Sequence, residues 1–175
     1  MCIRDRVTGI AYETVTAADG SMPLLAPMST IAGQLAIVVG SYHLLKHNKG
    51  KGVMIGKLDS IEPRVVTVIG AGVAGTQSIS KALDNHALVK VLDTSQSKLQ
   101  QLESEFGSSN IEYILSTSDS VQSAINESDM VIGSVYVVGK EAPKVVSRDM
   151  LKSMNPGTVM AVSYTHLTLP TNGTV

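Results

Sequence analysis

The sequence predicts an α/β fold, a doubly wound parallel sheet preceded by a long helix. Three observations predict it. Short β-branched runs alternate with helical patterns through most of the chain, joined by short links, as in a parallel sheet with right-handed crossovers. The run Val65-Val66-Thr67-Val68-Ile69 opens directly into Gly70-Ala71-Gly72-Val73-Ala74-Gly75, a G-x-G-x-x-G that follows a strand. The next strand, Leu88 to Leu92, ends on an acid, Asp93, at about the twenty-residue distance that a ribose-binding acid keeps from such a loop.

Together these features are a Rossmann-type dinucleotide fingerprint, and each part has a physical reason. Gly70 permits the sharp turn out of the strand, and Gly72 lets the backbone approach a pyrophosphate. Gly75 lets the helix lie close on the sheet. The helix N-terminus, at Val73 and Ala74, offers free N–H groups and a positive dipole end to phosphates. Asp93 can accept hydrogen bonds from adenosine ribose hydroxyls. Its charge repels a 2′-phosphate, so NAD is the expected cofactor rather than NADP.

Taken in order, Val7 to Val15 has strand character around Ile10-Ala11-Tyr12, and Asp19-Gly20 is a turn signal. Pro23 and Pro27 make a stiff, extended approach to the next element. Ser29 is then the expected N-cap of a helix from about Thr30 to His47. Its apolar stripe, Ile31, Leu35, Val38, Tyr42 and Leu45, is expected to pack in the core, a place compatible with subunit contacts as well. Ala32, Gly33 and Ala36 add a small-residue face suited to close packing. Residues 47–52 form a basic loop, and Pro63 marks the boundary of the nucleotide unit.

The helix after the glycine loop runs to about Leu83. Thr94-Ser95 caps the next one, which continues through Phe106 with Leu99, Leu102 and Phe106 inward. Lys98 stands in its first turn, where the dipole disfavours a cation. It is either a solvated lysine or a contact to the adenosine end of the cofactor. Ile111 to Leu115 is the third strand. Ser116 follows it, as a turn serine or a ligand contact at a strand end. Ser118 or Asp119 caps a short helix that turns Val121, Ala124 and Ile125 inward. Asp129 to Val135 is the fourth strand and its exit, whose Gly133-Ser134 end leaves room for a flat ring. Ser147 caps a helix near Arg148 to Met154, and Asn155-Pro156-Gly157 leads into a fifth strand, Thr158 to Val162.

Composition narrows the function classes. With 43% hydrophobic and 17% charged residues a packed core is expected. A net charge of -1 and the absence of a basic cluster argue against nucleic acid as a partner. Cys2 is the only cysteine, and His43, His47, His86 and His166 form no ligand-spaced set, so no metal site is expected. The apolar runs fall short of a membrane span and no signal peptide opens the chain; a cytoplasmic setting with no membrane partner follows. Residues 1–6 and 163–175 resemble translated sequencing-adapter read-through and are expected to be non-native, leaving an internal piece of a longer enzyme.

The segment from about Gly9 to Val162 resembles alanine dehydrogenase, of the alanine dehydrogenase and pyridine nucleotide transhydrogenase group. The matching words are Ala11-Tyr12-Glu13-Thr14-Val15, Pro23-Leu24-Leu25-Ala26-Pro27-Met28-Ser29 with Ile31-Ala32-Gly33, Lys51-Gly52-Val53-Met54 and the glycine loop. Leu92-Asp93 with Lys98-Leu99-Gln100-Gln101-Leu102 and Ala142-Pro143-Lys144-Val145-Val146 extend the match. The resemblance implies reversible oxidative deamination of L-alanine to pyruvate and ammonium, with NAD as hydride acceptor, in a homo-oligomer.

Residue by residue, the resemblance makes Ser29 a cofactor contact at the start of an interdomain helix spanning residues 29–47, and Val73 and Ala74 part of the pyrophosphate turn. Asp93, Lys98 and Ser116 become adenosine-side contacts, and Val135 and Tyr136 the pair beside the cofactor after the fourth strand. Tyr136 departs from the usual aliphatic residue, and Gly139-Lys140-Glu141 from the commoner proline-containing loop. Residues 7–28 become a remnant of the N-terminal substrate domain and residues 29–162 the NAD-binding domain. The family's substrate-binding arginine and lysine and its catalytic histidine fall upstream of Met1, and its catalytic aspartate just past the fifth strand. The expected catalytic set within this chain is therefore empty, and the chain alone is expected to be inactive. The alternatives are the NAD-binding α subunit of a proton-translocating transhydrogenase and a non-catalytic NAD-binding module.

Overall fold

A computed structural model describes residues 11–137 and 143–163. Five parallel strands form one sheet in the order β3-β2-β1-β4-β5. They are β1 (Val65–Ile69), β2 (Leu88–Asp93), β3 (Ile111–Leu115), β4 (Met130–Gly133) and β5 (Val159–Val162). Five helices accompany them: α1 (Ala26–His43), α2 (Val73–Asp84), α3 (Gln96–Phe106), α4 (Ser118–Glu127) and α5 (Arg148–Lys152). The strands are apolar on both faces because helices cover both faces. Val66, Val68, Val89, Val91, Met130 and Ile132 pack with Ile37, Ile79, Leu99 and Leu102 on one side. Ile69, Leu92 and Val131 pack with Val121, Ala124 and Ile125 on the other. Side chains such as Ile79, Ile125 and Ile132 are fully buried, and each contributes about 1.5–3 kcal/mol by leaving water.

The strand order places the switch point between β1 and β4. The chain winds outward from β1 through β2 to β3, then returns to lay β4 on the other side of β1. Crevices at the carboxyl ends of strands open at such points.

The helix before the sheet differs from expectation in three ways. It starts at Ala26 rather than Thr30, with Leu25 at the N-cap and no side-chain cap. Pro27 lies in its first turn, where the missing N–H costs nothing because that donor has no helical partner. The proline therefore helps start the helix instead of holding it off, and Ser29 lies inside it, its N–H donating to Leu25 C=O at 3.0 Å. The helix ends at His43, and the chain tightens into a short 3-10 turn, Lys46–Asn48.

The third difference concerns the face that α1 buries. Ile31, Leu35, Val38 and Tyr42, expected in the core, are 59%, 51%, 53% and 54% exposed. The buried residues are Gly33, Ile37 and Gly40, with Leu44 just beyond. The small residues decide this. A Cβ at Gly33 would meet the Ala74 carbonyl, so α1 and α2 lie nearly backbone to backbone. Ser78 Oγ crosses the gap and donates to Gly33 C=O at 2.8 Å.

Smaller differences have local causes. Tyr12–Thr14 is a 3-10 turn rather than a strand; Val7 to Ile10 lie outside the described residues, as do residues 1–6, 138–142 and 164–175. The cap of α4 is Thr117, not Ser118 or Asp119. Thr117 Oγ1 accepts from Ser120 N at 3.1 Å while Ser120 Oγ accepts from Thr117 N at 2.8 Å, a reciprocal box that neither neighbour could form. Ser95 and Ser147 cap α3 and α5 as expected. At the far end of α3 the Tyr113 hydroxyl donates to Gly107 C=O at 2.7 Å, with Leu102 C=O at 3.2 Å. Burial, then the carboxylates of Glu103 and Glu105, hold that phenol above its usual range, so it stays a donor. On β2, burial lowers the Lys90 ammonium, but Glu127 and Glu112 together outweigh it and raise the group above the ordinary lysine value.

Candidate functional site

A cavity of about 1220 Å³ opens at the carboxyl ends of the strands, over the switch point. Its floor is the glycine turn between β1 and α2. Gly70 has φ 97°, a conformation that side chains rarely adopt, and a Cβ there would come within 2.9–3.0 Å of the backbone of Ser134 and Val135. The turn and the exit of β4 are thus in direct contact. Gly72 is the N-cap of α2, and nothing lies within 4 Å of where its Cβ would be. That open space adjoins the first turn of α2, whose N–H groups have no intrahelical partners. An anion seated there gains both the donors and the helix dipole.

Asp93 does more than wait for a ligand. One carboxylate oxygen accepts from Ala71 N at 2.8 Å and the other from Ser95 N at 2.8 Å. The side chain therefore clamps the glycine turn to the start of α3. Each oxygen keeps a second lone pair for a hydroxyl from the cavity. Lys98 is half-buried at the third position of α3, and among the described residues its ammonium forms no ion pair. Ser116 N donates to Asp93 C=O at 2.9 Å, which extends the β2–β3 pairing to the cavity rim.

Every site residue predicted from the sequence lines this cavity except Gly75. Ser29 reaches it from α1; Gly70, Gly72, Val73 and Ala74 from the turn; Asp93, Lys98 and Ser116 from the β2 and β3 ends; Val135 and Tyr136 from the β4 exit. Gly75 faces inward, where a Cβ would meet Gly70 C=O and come 2.8 Å from Ser134 Oγ. Its place is in packing, consistent with the helix–sheet role given to the third glycine.

Two contributors stand outside the site residues predicted from the sequence, which reads Ser134 only as room at the end of β4. Ser134 is buried, and its hydroxyl donates to Gly70 C=O at 2.7 Å with Ile69 C=O at 3.1 Å. It fixes the turn from the β4 side as Asp93 does from the β2 side. Tyr12 closes the cavity from the N-terminal segment, its hydroxyl 2.8 Å from Met28 Sδ. A small serine after a strand carries no signal of its own. Among the described residues no group of three His, Cys, Asp or Glu side chains could hold a metal ion.

The fit to a dinucleotide is good on these observations: an open approach at Gly72, unpaired helix donors beside it, and an acid on the β2 side. Comparison with known proteins agrees with it. The family described as alanine dehydrogenase/PNT, C-terminal domain, matches residues 36–162. The chain is similar to the alanine dehydrogenase of Mycobacterium tuberculosis (strain ATCC 25618 / H37Rv), 47% identical over 154 residues, which cover 87% of this chain and 41% of that protein. A solved L-alanine dehydrogenase superposes with a TM-score of 0.83 at 37% identity, covering 87% of this chain and 42% of that one. A transhydrogenase from Sinorhizobium meliloti superposes with a TM-score of 0.66 at 27% identity, covering 78% of this chain and 38% of that one. The chain thus spans about two-fifths of the length of the proteins it matches. With the glycine turn, the strand order and the match over residues 36–162 in agreement, the chain belongs to the alanine dehydrogenase/PNT family and carries its C-terminal domain.

Proposed function

We propose that this chain is the NAD(H)-binding portion of an L-alanine dehydrogenase, which converts L-alanine, NAD and water to pyruvate, ammonium and NADH. The observation that carries this is the single cavity into which the glycine turn, Asp93, Lys98, Ser116 and Ser29 all open. Alanine dehydrogenases bind NAD. The first turn of α2 takes the pyrophosphate, and Asp93 with Lys98 and Ser116 takes the adenosine end. When bound, NAD supplies the hydride acceptor. This chain's residues bind and orient it, while the acid–base groups and the cation for the substrate carboxylate belong to the rest of the enzyme. Residues 29–162 are the NAD-binding domain, α1 its link to the substrate domain, and residues 7–28 part of that second domain. The transhydrogenase subunit is the weaker alternative, at 27% identity against 37% for the dehydrogenase.

The same proposal includes a cytoplasmic homo-oligomer. The exposed apolar stripe of α1 supports self-association. No described helix is long and apolar enough to cross a membrane.

The test is calorimetric titration of the whole chain with NAD, NADP and ADP-ribose, alongside an assay for alanine-dependent NADH formation. Saturable NAD binding, NADP weaker by about tenfold or more, and no turnover are expected, since a like charge close to Asp93 is worth at least that factor. Equal or tighter NADP binding would overturn the cofactor assignment.

A further inference from the structure

The segment before α1 forms a strap along the rim of the cavity, where Tyr12, Ser21 and Met22 line it. Among the described residues one side-chain hydrogen bond ties residues 11–21 to the helix: the Tyr12 hydroxyl donates to Met28 Sδ at 2.8 Å. Met28 stands in the first turn of α1, beside Ser29, and lines the cavity as well. It is 50% exposed, and its contact with Tyr12 lies at the surface.

A thioether sulfur carries two lone pairs, and oxidation at one or the other gives opposite sulfoxide epimers. The Tyr12 hydroxyl occupies one lone pair of Met28. The other is left for an oxidant from solvent. Oxygen added there turns an apolar side chain into a polar one and makes the new oxygen, not the sulfur, the preferred acceptor. Tyr12 must then give up its place against the sulfur, and the strap at the cavity rim moves with it.

We propose that Met28 is an oxidation site: hydrogen peroxide converts its thioether to one sulfoxide epimer, releases the Tyr12 contact and so weakens nucleotide binding. The effect on binding rests on the NAD-binding reading of the cavity; the single epimer does not. In this step the free sulfur lone pair attacks one peroxide oxygen. An S–O bond forms as the O–O bond breaks, and the leaving oxygen takes the proton of the transferred one and departs as water. Sulfur loses two electrons and the peroxide gains them. Other methionines supply the controls: Met130 is fully buried, and Met54 is 69% exposed but does not line the cavity.

The test treats the full chain with hydrogen peroxide and reads sulfoxide at each methionine by peptide mass spectrometry. Samples are then divided between the two methionine sulfoxide reductases of opposite epimer specificity, each with a thiol reductant, and titrated calorimetrically with NAD. Met28 sulfoxide that only one reductase removes is expected. NAD binding should weaken by about threefold or more, the worth of a lost hydrogen bond, and the same reductase should restore it. Tyr12→Phe frees both lone pairs, so both epimers should form in that variant. Peroxide should leave the NAD affinity of Met28→Leu where it stood before treatment. Met28 still a thioether when Met54 is converted, or equal amounts of both epimers in the parent chain, overturns the oxidation site. Full conversion of Met28 with NAD affinity unchanged, or an equal loss in Met28→Leu, overturns its control of the cavity. Failure of the untreated chain to bind NAD overturns the nucleotide reading, while the epimer result still decides the site.

Discussion

Asp93 holds two backbone N–H groups, from Ala71 and Ser95, while facing the cavity. Its charge and its geometry are therefore separable by substitution. Asp93→Asn removes the charge and leaves one oxygen to serve two donors. The lost acceptor should lower stability by about 1–3 kcal/mol, the cost of leaving a half-buried N–H unpaired. The lost charge should narrow the gap between NAD and NADP affinities by about tenfold, since repulsion of a 2′-phosphate disappears. Titration of the variant with both nucleotides checks this; an unchanged ratio would make Asp93 a clamp alone. The acid was legible from its spacing after a glycine loop, because that spacing is set by the length of one helix and one strand. Its grip on Ala71 was not, since that bond exists only once the turn has closed. Ser134 was less legible still: a buried serine that donates to two carbonyls reads, in sequence, as mere room.

At the level of elements, the strands and the later helices could be placed to within a residue or two. Each combines β-branched runs or a capping side chain with a single apolar face, as in α3 with Ser95, Leu99 and Leu102. Helix α1 could not be oriented, because apolar residues surround it. Periodicity identifies Ile31-Leu35-Val38-Tyr42 and Gly33-Ile37-Gly40-Leu44 equally well as stripes, and favours the first for bulk. The fold chose the second, since glycines let α1 touch the backbone of α2. Gly33→Ala measures how much that choice matters. Alanine gains about 1 kcal/mol in helix propensity. Its methyl meets the Ala74 carbonyl, a rigid backbone group, so overpacking near the upper end of about 1–3 kcal/mol should dominate. A net loss of about 2 kcal/mol is expected in denaturant unfolding. NAD binding should weaken too, because Ala74 lies in the first turn of α2. A variant as stable as the parent would show that α1 can slide without cost.

The whole molecule has two unlike surfaces. One is the cavity, whose walls come from α1, the glycine turn and the ends of β2, β3 and β4. The other is the outer face of α1, where Ile31, Leu35, Val38, Val39 and Tyr42 are each about half exposed or more. Single exposed apolar side chains are ordinary, but a continuous row along an 18-residue helix is a surface that association would bury. Burying the exposed half of such side chains is worth about 1 kcal/mol each, and a row contributed by both partners adds up to enough to offset the lower end of the entropy of association. The chain is therefore expected to self-associate through α1, with mass rising with concentration in sedimentation equilibrium. Leu35→Glu combined with Val38→Glu should return it to a monomer, because two buried carboxylates per chain would have no partner. Neither residue lines the cavity, so NAD affinity per chain should be unaffected. A parent chain that stays monomeric at every concentration, or a double variant that still associates, would move the contact away from α1.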